Sequence, residues 1–98
     1  MKFERTLRFE ADLRRLSRRE RETFVRTALD VFAPAVERVV KEPGSAWPRA
    51  LRIRGVAAAP GVWEMTWSFA GPDGRATFEW VEIGGEPAIR WRRVGGRH

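Results

Sequence analysis

Five arginines and two glutamates occur at alternating positions of short stretches in the second half of the chain. With the hydroxyl residues between them, the set comprises Arg52, Arg54, Glu64, Thr66, Ser68, Arg75, Thr77, Glu79, Arg90 and Arg92. Successive side chains of a β-strand point to opposite faces, so these residues would meet on one face of a sheet. Several guanidinium groups on one face can bind several phosphates, and carboxylates among them can transfer protons. The pattern therefore predicts a site for nucleic-acid chemistry.

A second interpretation of this face requires no ligand. Arginine and glutamate side chains on neighbouring strands form cross-strand pairs, each of which contributes only about 0.2–1 kcal/mol to stability. The same pattern would then describe an ordinary solvated sheet face. The spacing alone leaves both interpretations open.

The residues on the other side of the same strands are apolar and predict a core. They are Leu51, Ile53, Trp63, Met65, Trp67, Phe69, Phe78, Trp80, Ile89 and Trp91. Glycine and proline at residues 71–74 and 84–87 are typical of tight turns between strands. The second half of the chain is therefore predicted to form an antiparallel meander over about residues 49–95.

The first half has a helical period instead. Ser17 and Glu20 form a capping box, which predicts the start of a second helix after a shorter first one. Pro34 lies inside the apolar stripe of that helix and predicts a kink near residues 30–33. Together the two helices would form a hairpin over about residues 7–41.

These elements define one fold class. We expect an α+β protein in which an N-terminal helical hairpin packs on one face of a small antiparallel β-sheet, preceded by a short strand at residues 2–5. The chain of 98 residues is long enough for one domain, which would span residues 1–98.

The composition limits the function classes further. The chain has no cysteine and a single histidine, which excludes disulfides and zinc sites built from cysteine, so neither a metal nor a cofactor is expected. Its uncharged stretches are too short to span a membrane, and no signal peptide is evident, so we expect a cytoplasmic protein. Seventeen of the nineteen basic residues are arginine and the net charge is +6. Nucleic acid or an acidic protein is therefore the expected partner.

Five stretches of the sequence resemble the RelE/ParE superfamily of toxins from bacterial type II toxin–antitoxin systems. They are FEADLRRL at 9–16, LRIRG at 51–55, GVWEMTW at 61–67, GRATF at 74–78 and RWRRVGGRH at 90–98. The first resembles the family's opening helix, the next three its successive strands, and the last its closing strand. The predicted order of strand, two helices and meander is also that of the family.

The resemblance implies an activity and assigns residues to it. Toxins of the RelE branch cleave messenger RNA on the ribosome without metal, and each is held inactive by a cognate antitoxin in a hetero-oligomer. The family's phosphate-stabilising arginine corresponds to Arg75, and its last-strand arginine to Arg92 or Arg93. The proton-transfer role corresponds to Glu64 or His98. The remaining arginines implied to bind RNA are Arg52, Arg54 and Arg90.

Two other functions are compatible with the same resemblance. A toxin of the ParE branch poisons DNA gyrase through protein contacts, and a catalytically inactive relative would be a basic adaptor that binds RNA or protein. The sequence differs from many family nucleases in two respects: Thr66 replaces the arginine that closes the third motif, and tyrosine is absent. We therefore expect a metal-independent endoribonuclease, with the gyrase poison and the adaptor as alternatives.

Overall fold

Two helical segments pack on one face of a five-stranded sheet, as the sequence predicts. The computed structural model describes residues 2–67 and 74–95. The helical elements are α1 (Leu7–Arg15), α2 (Arg18–Thr27), a π-helical turn (Ala28–Phe32) and α3 (Ala33–Lys41). The strands are β1 (Lys2–Arg5), β2 (Arg54–Gly55), β3 (Val62–Thr66), β4 (Arg75–Ile83) and β5 (Glu86–Gly95).

The helix boundaries follow from local chemistry. Thr6 caps α1 by accepting a hydrogen bond from the Phe9 amide at 3.0 Å. Ser17 and Glu20 form the predicted capping box at the start of α2. Pro34 has no N–H group to continue the α-helical hydrogen bonds, and the chain widens into the π-helical turn just before it. The α-helical hydrogen bonding is therefore interrupted close to the predicted position, and α3 continues the helix beyond it.

The strand order is β1-β5-β4-β3-β2. Strands β2 to β5 form the predicted antiparallel meander, whereas β1 lies parallel to β5 at the far edge, so the sheet is mixed rather than purely antiparallel. A parallel pair needs a long crossover connection, and the helices together with strands β2 to β4 lie between β1 and β5 in the chain. The first and last strands are consequently neighbours.

The predicted alternation of apolar residues is confirmed. Met65, Trp67, Phe78, Ile89 and Trp91 are buried against the helices. Phe32 of the π-helical turn packs between the two layers, because its ring meets both Phe78 and Trp91 at centroid distances of 4.9 and 5.0 Å. The same parity places the polar residues of the described strands, among them Glu64, Arg75 and Glu79, on the opposite, open face of the sheet. Ser68 and Phe69 lie outside the described residues.

The prediction of a strand from Leu51 to Arg54 is largely wrong. Residues Arg49–Leu51 form a 3₁₀ turn that buries Leu51, and Arg52 follows with a left-handed φ of 46°. Only Arg54–Gly55 pairs with β3. The chain passes from the helical hairpin to the sheet at this point. The turn lets the Leu51 side chain reach the core.

Candidate nucleic-acid interface

The carboxylate of Glu64 binds two arginines on the open face of the sheet. Arg75 Nη1 donates to Glu64 Oε1 at 2.8 Å, and Arg54 donates to the same oxygen from Nε and Nη2 at 3.2 and 3.1 Å. The three residues come from β4, β3 and β2, so the contact spans three strands. The side chain of Glu64 is only 17% exposed.

These contacts determine the ionisation of Glu64. Its partial burial alone would raise the pKa, but the hydrogen bonds from Arg75 and Arg54 outweigh burial and lower the pKa of Glu64. The carboxylate is therefore ionised at neutral pH. In that state it can accept a proton from a substrate, but it has none to donate.

A second carboxylate, Glu79, also binds two arginines on the open face. Arg90 Nη1 donates to Glu79 Oε1 at 3.0 Å, and Arg92 Nε lies 3.2 Å from Glu79 Oε2. Arg90 also reaches Glu4 of β1 at 3.2 Å, and the two hydrogen bonds to Glu79 and Glu4 raise its already high pKa. Four arginines of the open face are thus paired with three glutamates, and the cross-strand pairing interpretation is correct for these contacts.

Arg93 is placed differently from the other predicted RNA-binding residues. Its guanidinium turns to the edge of the sheet, where Nε donates to Asp12 Oδ2 at 2.7 Å and Nη2 to Oδ1 at 3.2 Å. Asp12 of α1 is only 6% exposed and also accepts the backbone N–H of Val94 at 3.2 Å. The hydrogen bond from Arg93 is the main cause that lowers the pKa of Asp12.

A groove of about 410 Å³ lies between these two arrangements. Its lining residues are Asp12, Arg75, Ala76, Thr77, Arg93, Val94 and Gly95. Arg75 and Arg93 bring two guanidinium groups to the groove, and the Asp12 carboxylate that binds Arg93 also lines it. The hydroxyl of Thr77 is buried and has no hydrogen-bond partner among the described residues. Guanidinium groups can bind phosphate in two-pronged contacts, so a phosphate would have to compete with the carboxylates.

The structure thus brings together Glu64, Arg75 and Arg54 in one cluster and Arg90 and Arg92 in another. Arg52 stands in the turn before β2 rather than in a strand of the open face. His98 lies outside the described residues. Thr66 is buried directly opposite Arg75, so the position that carries arginine in many family nucleases here adds no charge.

Asp12 is the residue of this region that the sequence interpretation missed. The helical period put it on the polar side of α1, and no partner could be named for it. One signal was present. Asp12 begins the acidic–Leu–basic–basic–Leu run at residues 12–16, within the stretch that resembles the family's opening helix. Its partner is 81 residues away in the chain, beyond the reach of any local pattern.

Comparison with known proteins gives the fold. A chain of the crystal structure of the intact E. coli RelBE toxin–antitoxin complex superposes with a TM-score of 0.55 at 12% identity, covering 99% of this chain and 96% of that one. The YoeB/ParE toxin from Agrobacterium tumefaciens superposes with a TM-score of 0.58 at 13% identity, covering the full length of both chains.

The fold is that of the RelE/ParE-type toxins. No protein-family model and no curated protein matches the sequence, so the relationship is visible in the structure and in the short motifs alone. In this toxin fold, Arg75 and Glu64 lie on the open face away from the helices. Within residues 2–67 and 74–95, no group of three or more acidic, cysteine or histidine side chains could hold a metal ion, and no helix is long and apolar enough to cross a membrane.

Proposed function

We propose that the protein is the toxin of a toxin–antitoxin pair and that it cleaves messenger RNA on the ribosome without a metal ion. The contact between Arg75 and Glu64 carries this proposal. It places a carboxylate base and a cation within one hydrogen bond of each other on a charged open face, beside a groove that a phosphate can enter.

The chemistry assigned to these residues is an internal transesterification. Ionised Glu64 takes the proton of a ribose 2′-OH, and the 2′-oxygen attacks the adjacent phosphorus. The bond from phosphorus to the 5′-oxygen breaks, leaving a 2′,3′-cyclic phosphate on one fragment and a 5′-hydroxyl on the other. The proton for the departing oxygen is assigned to His98, because imidazole is a common general acid for such a step.

Arg75 is assigned the stabilisation of the phosphorane. Its guanidinium has five N–H donors, and the bond to Glu64 involves Nη1. The remaining donors can bind the non-bridging oxygens, where negative charge increases in the transition state. Arg54, Arg90 and Arg92 would bind neighbouring phosphates by exchanging a carboxylate partner for RNA.

A protein partner is part of the proposal. Val25 and Leu29 are 41% and 66% exposed in a groove whose charged lining residues are Arg21, Glu22, Arg26 and Asp30. An antitoxin segment with apolar side chains and charges of both signs would complement this surface. The net charge of +6 supports the same choice of partner.

One observation favours a second function, that of an adaptor without catalysis. Every arginine in the Glu64 and Glu79 clusters already has a carboxylate partner, and Thr66 contributes no charge beside Arg75. A face of this kind can bind RNA through partner exchange without accelerating its cleavage.

The deciding experiment uses purified protein stripped of metal with EDTA and then freed of the chelator, added to translating ribosomes in their magnesium buffer with a defined messenger RNA. We expect cuts within the ribosome-bound codons, 2′,3′-cyclic phosphate ends and no cleavage by Arg75→Ala. Binding without cuts would support the adaptor and contradict the nuclease. Inhibition of gyrase supercoiling by the same preparation, with intact RNA, would identify the ParE-type activity instead.

A further inference from the structure

Strand β5 loses its outer neighbour before it ends. The pairing of β1 with β5 stops at Arg5 and Trp91, where the chain turns into α1. Thr6 continues the contact through its amide, which donates to the Trp91 carbonyl at 3.1 Å, and through its hydroxyl, which donates to the Arg92 carbonyl at 3.0 Å. Beyond that point the Val94 amide faces no strand, and the carboxylate of Asp12 accepts it.

The register of the same segment is irregular. A bulge on β5 separates the pair Phe78–Trp91 from the pair Thr77–Arg93, so Arg92 has no residue opposite it on β4. Two adjacent arginines therefore follow different paths: Arg92 reaches Glu79 and Arg93 reaches Asp12. A slip of one residue after the bulge would pair Arg93 with Ala76 and so move Arg93 to the buried face of the sheet and Val94 to the open one.

Because the bulge interrupts the pairing of β4 with β5, contacts from outside the sheet must determine the register of the residues that follow it. We infer that Asp12 is a positioning residue, which selects the register of residues 93–95 and thereby fixes one wall of the groove against Arg75. Its two oxygens bind the Arg93 side chain and the Val94 backbone together, a combination that only one register satisfies. Asp12 does this from a rigid helix, since Phe9 of the same helix is fully buried against the sheet.

The other wall of the groove belongs to β4 and carries Arg75, Ala76 and Thr77. Loss of Asp12 would thus let the end of β5 move relative to the phosphate-stabilising arginine without removing any group that contacts RNA. The effect on cleavage rests on the proposed function, whereas the effect on the strand register does not.

The test compares Asp12→Asn with Glu10→Gln, which removes the same charge from a partly exposed position of α1 that lies 3.7 Å from Arg5. Cross-strand nuclear Overhauser contacts report the register in uniformly labelled protein. We expect Asp12→Asn to lose or double the contacts of the pairs Ala76–Val94 and Arg75–Gly95 while Trp80–Ile89 is retained. Glu10→Gln should leave all three pairs intact, and intact pairs in Asp12→Asn would overturn the inference.

The kinetic arm separates positioning from binding. With ribosome-bound RNA, Asp12→Asn should lower kcat by about tenfold or more, as misplacement of a catalytic group does, and change KM by less than threefold. A displaced register with unchanged kcat would overturn the catalytic part. If wild-type protein cleaves nothing, the proposed function fails and the register contacts alone decide the inference. If Asp12→Asn does not fold, Arg93→Gln is measured instead. It removes the guanidinium from Asp12 and keeps the Asp12–Val94 hydrogen bond, and the same cross-strand contacts of residues 94 and 95 should weaken or double.

Discussion

Glu64 and Arg75 are diagonal neighbours on adjacent antiparallel strands, joined by a hydrogen bond of 2.8 Å between Oε1 and Nη1. Arg75 is the first residue of β4, so its guanidinium sits at the end of the strand where the sheet face opens into the groove. The bond orients the cation while both side chains remain partly accessible, at 17% and 29% exposure. A carboxylate and a guanidinium are thereby held in a fixed relation on the open face.

Arg75→Ala should abolish cleavage and the growth inhibition expected from it. Removing a donor that stabilises transition-state charge typically lowers the rate by about 100- to 1000-fold. The melting temperature should change by only a few degrees, since a partly exposed ion pair contributes about 1 kcal/mol or less. Arg19→Ala, an exposed arginine of α2, is the matched control for charge and should remain fully active. Undiminished toxicity of Arg75→Ala would show that the protein does not act as this nuclease.

Glu79→Gln should strengthen the binding of single-stranded RNA. The substitution removes the negative charge that Arg90 and Arg92 share, so Arg92 becomes available to phosphate while Arg90 keeps its bond to Glu4 and gains freedom on its other side. Each additional phosphate contact steepens the plot of log affinity against log salt by about 0.7 for single strands. Fluorescence anisotropy across a salt series measures both quantities, with Glu22→Gln on α2 as the control. Weaker binding by Glu79→Gln would mean that RNA does not contact this pair of arginines.

The pH dependence of stability should report on Asp12. Its folded-state pKa is lowered, mainly by the hydrogen bond from Arg93, so its stabilisation is present above the unfolded-state pKa near 4 and is lost as the pH falls through the folded value. We expect Asp12→Asn to destabilise the protein by ~1–2 kcal/mol at pH 7, a figure reduced by the exposure of Arg93. Urea unfolding at a series of pH values should show this difference shrinking toward pH 3. A difference that grew on acidification would contradict the ionised state of Asp12.

Gly74→Ala should be destabilising through a steric clash. A Cβ atom at Gly74 would lie 2.5 Å from two ring atoms of the buried Trp67, closer than any packed side chain tolerates. Overpacking of this kind costs about 1–3 kcal/mol, which lowers the melting temperature of a domain of this size by roughly 4–8 °C per kcal/mol. Gly55→Ala is the matched control, because nothing lies within 4 Å of its Cβ position. Equal melting temperatures for the two variants would contradict the contact.

The sequence predicted those features that depend on local periodicity. The capping box at Ser17, the break at Pro34 and the alternation of Trp67, Phe78 and Trp91 all follow from residues close together in the chain, and all are present. The division of the strands into an apolar and a charged face could be predicted for the same reason.

What the sequence did not predict depends on distant partners. The bond of Asp12 to Arg93 and the parallel pairing of β1 with β5 join residues from opposite ends of the chain, for which no local pattern exists. Arg52 was predicted to lie in a strand, which is wrong. An apolar Leu51 next to a charged residue fits a strand and a 3₁₀ turn equally well, so the pattern could not distinguish the two. Cross-strand pairing of glutamate with arginine was one of the two interpretations of the charged face. The sequence alone could not show that Glu64 binds both Arg54 and Arg75.

The interior position of strand β5 in the sheet has a consequence for folding during synthesis. Strand β5 lies between β1 and β4, and Glu4 bonds to Arg90 across 86 residues of chain. A nascent polypeptide that has exposed only its first eighty residues therefore has an edge strand with no neighbour and a core without Ile89 and Trp91. Contacts of such long sequence separation form late, after their loops have closed. The sheet can therefore be completed only after β5 has left the ribosome, and until then the residues that precede β5 remain an unfinished fold.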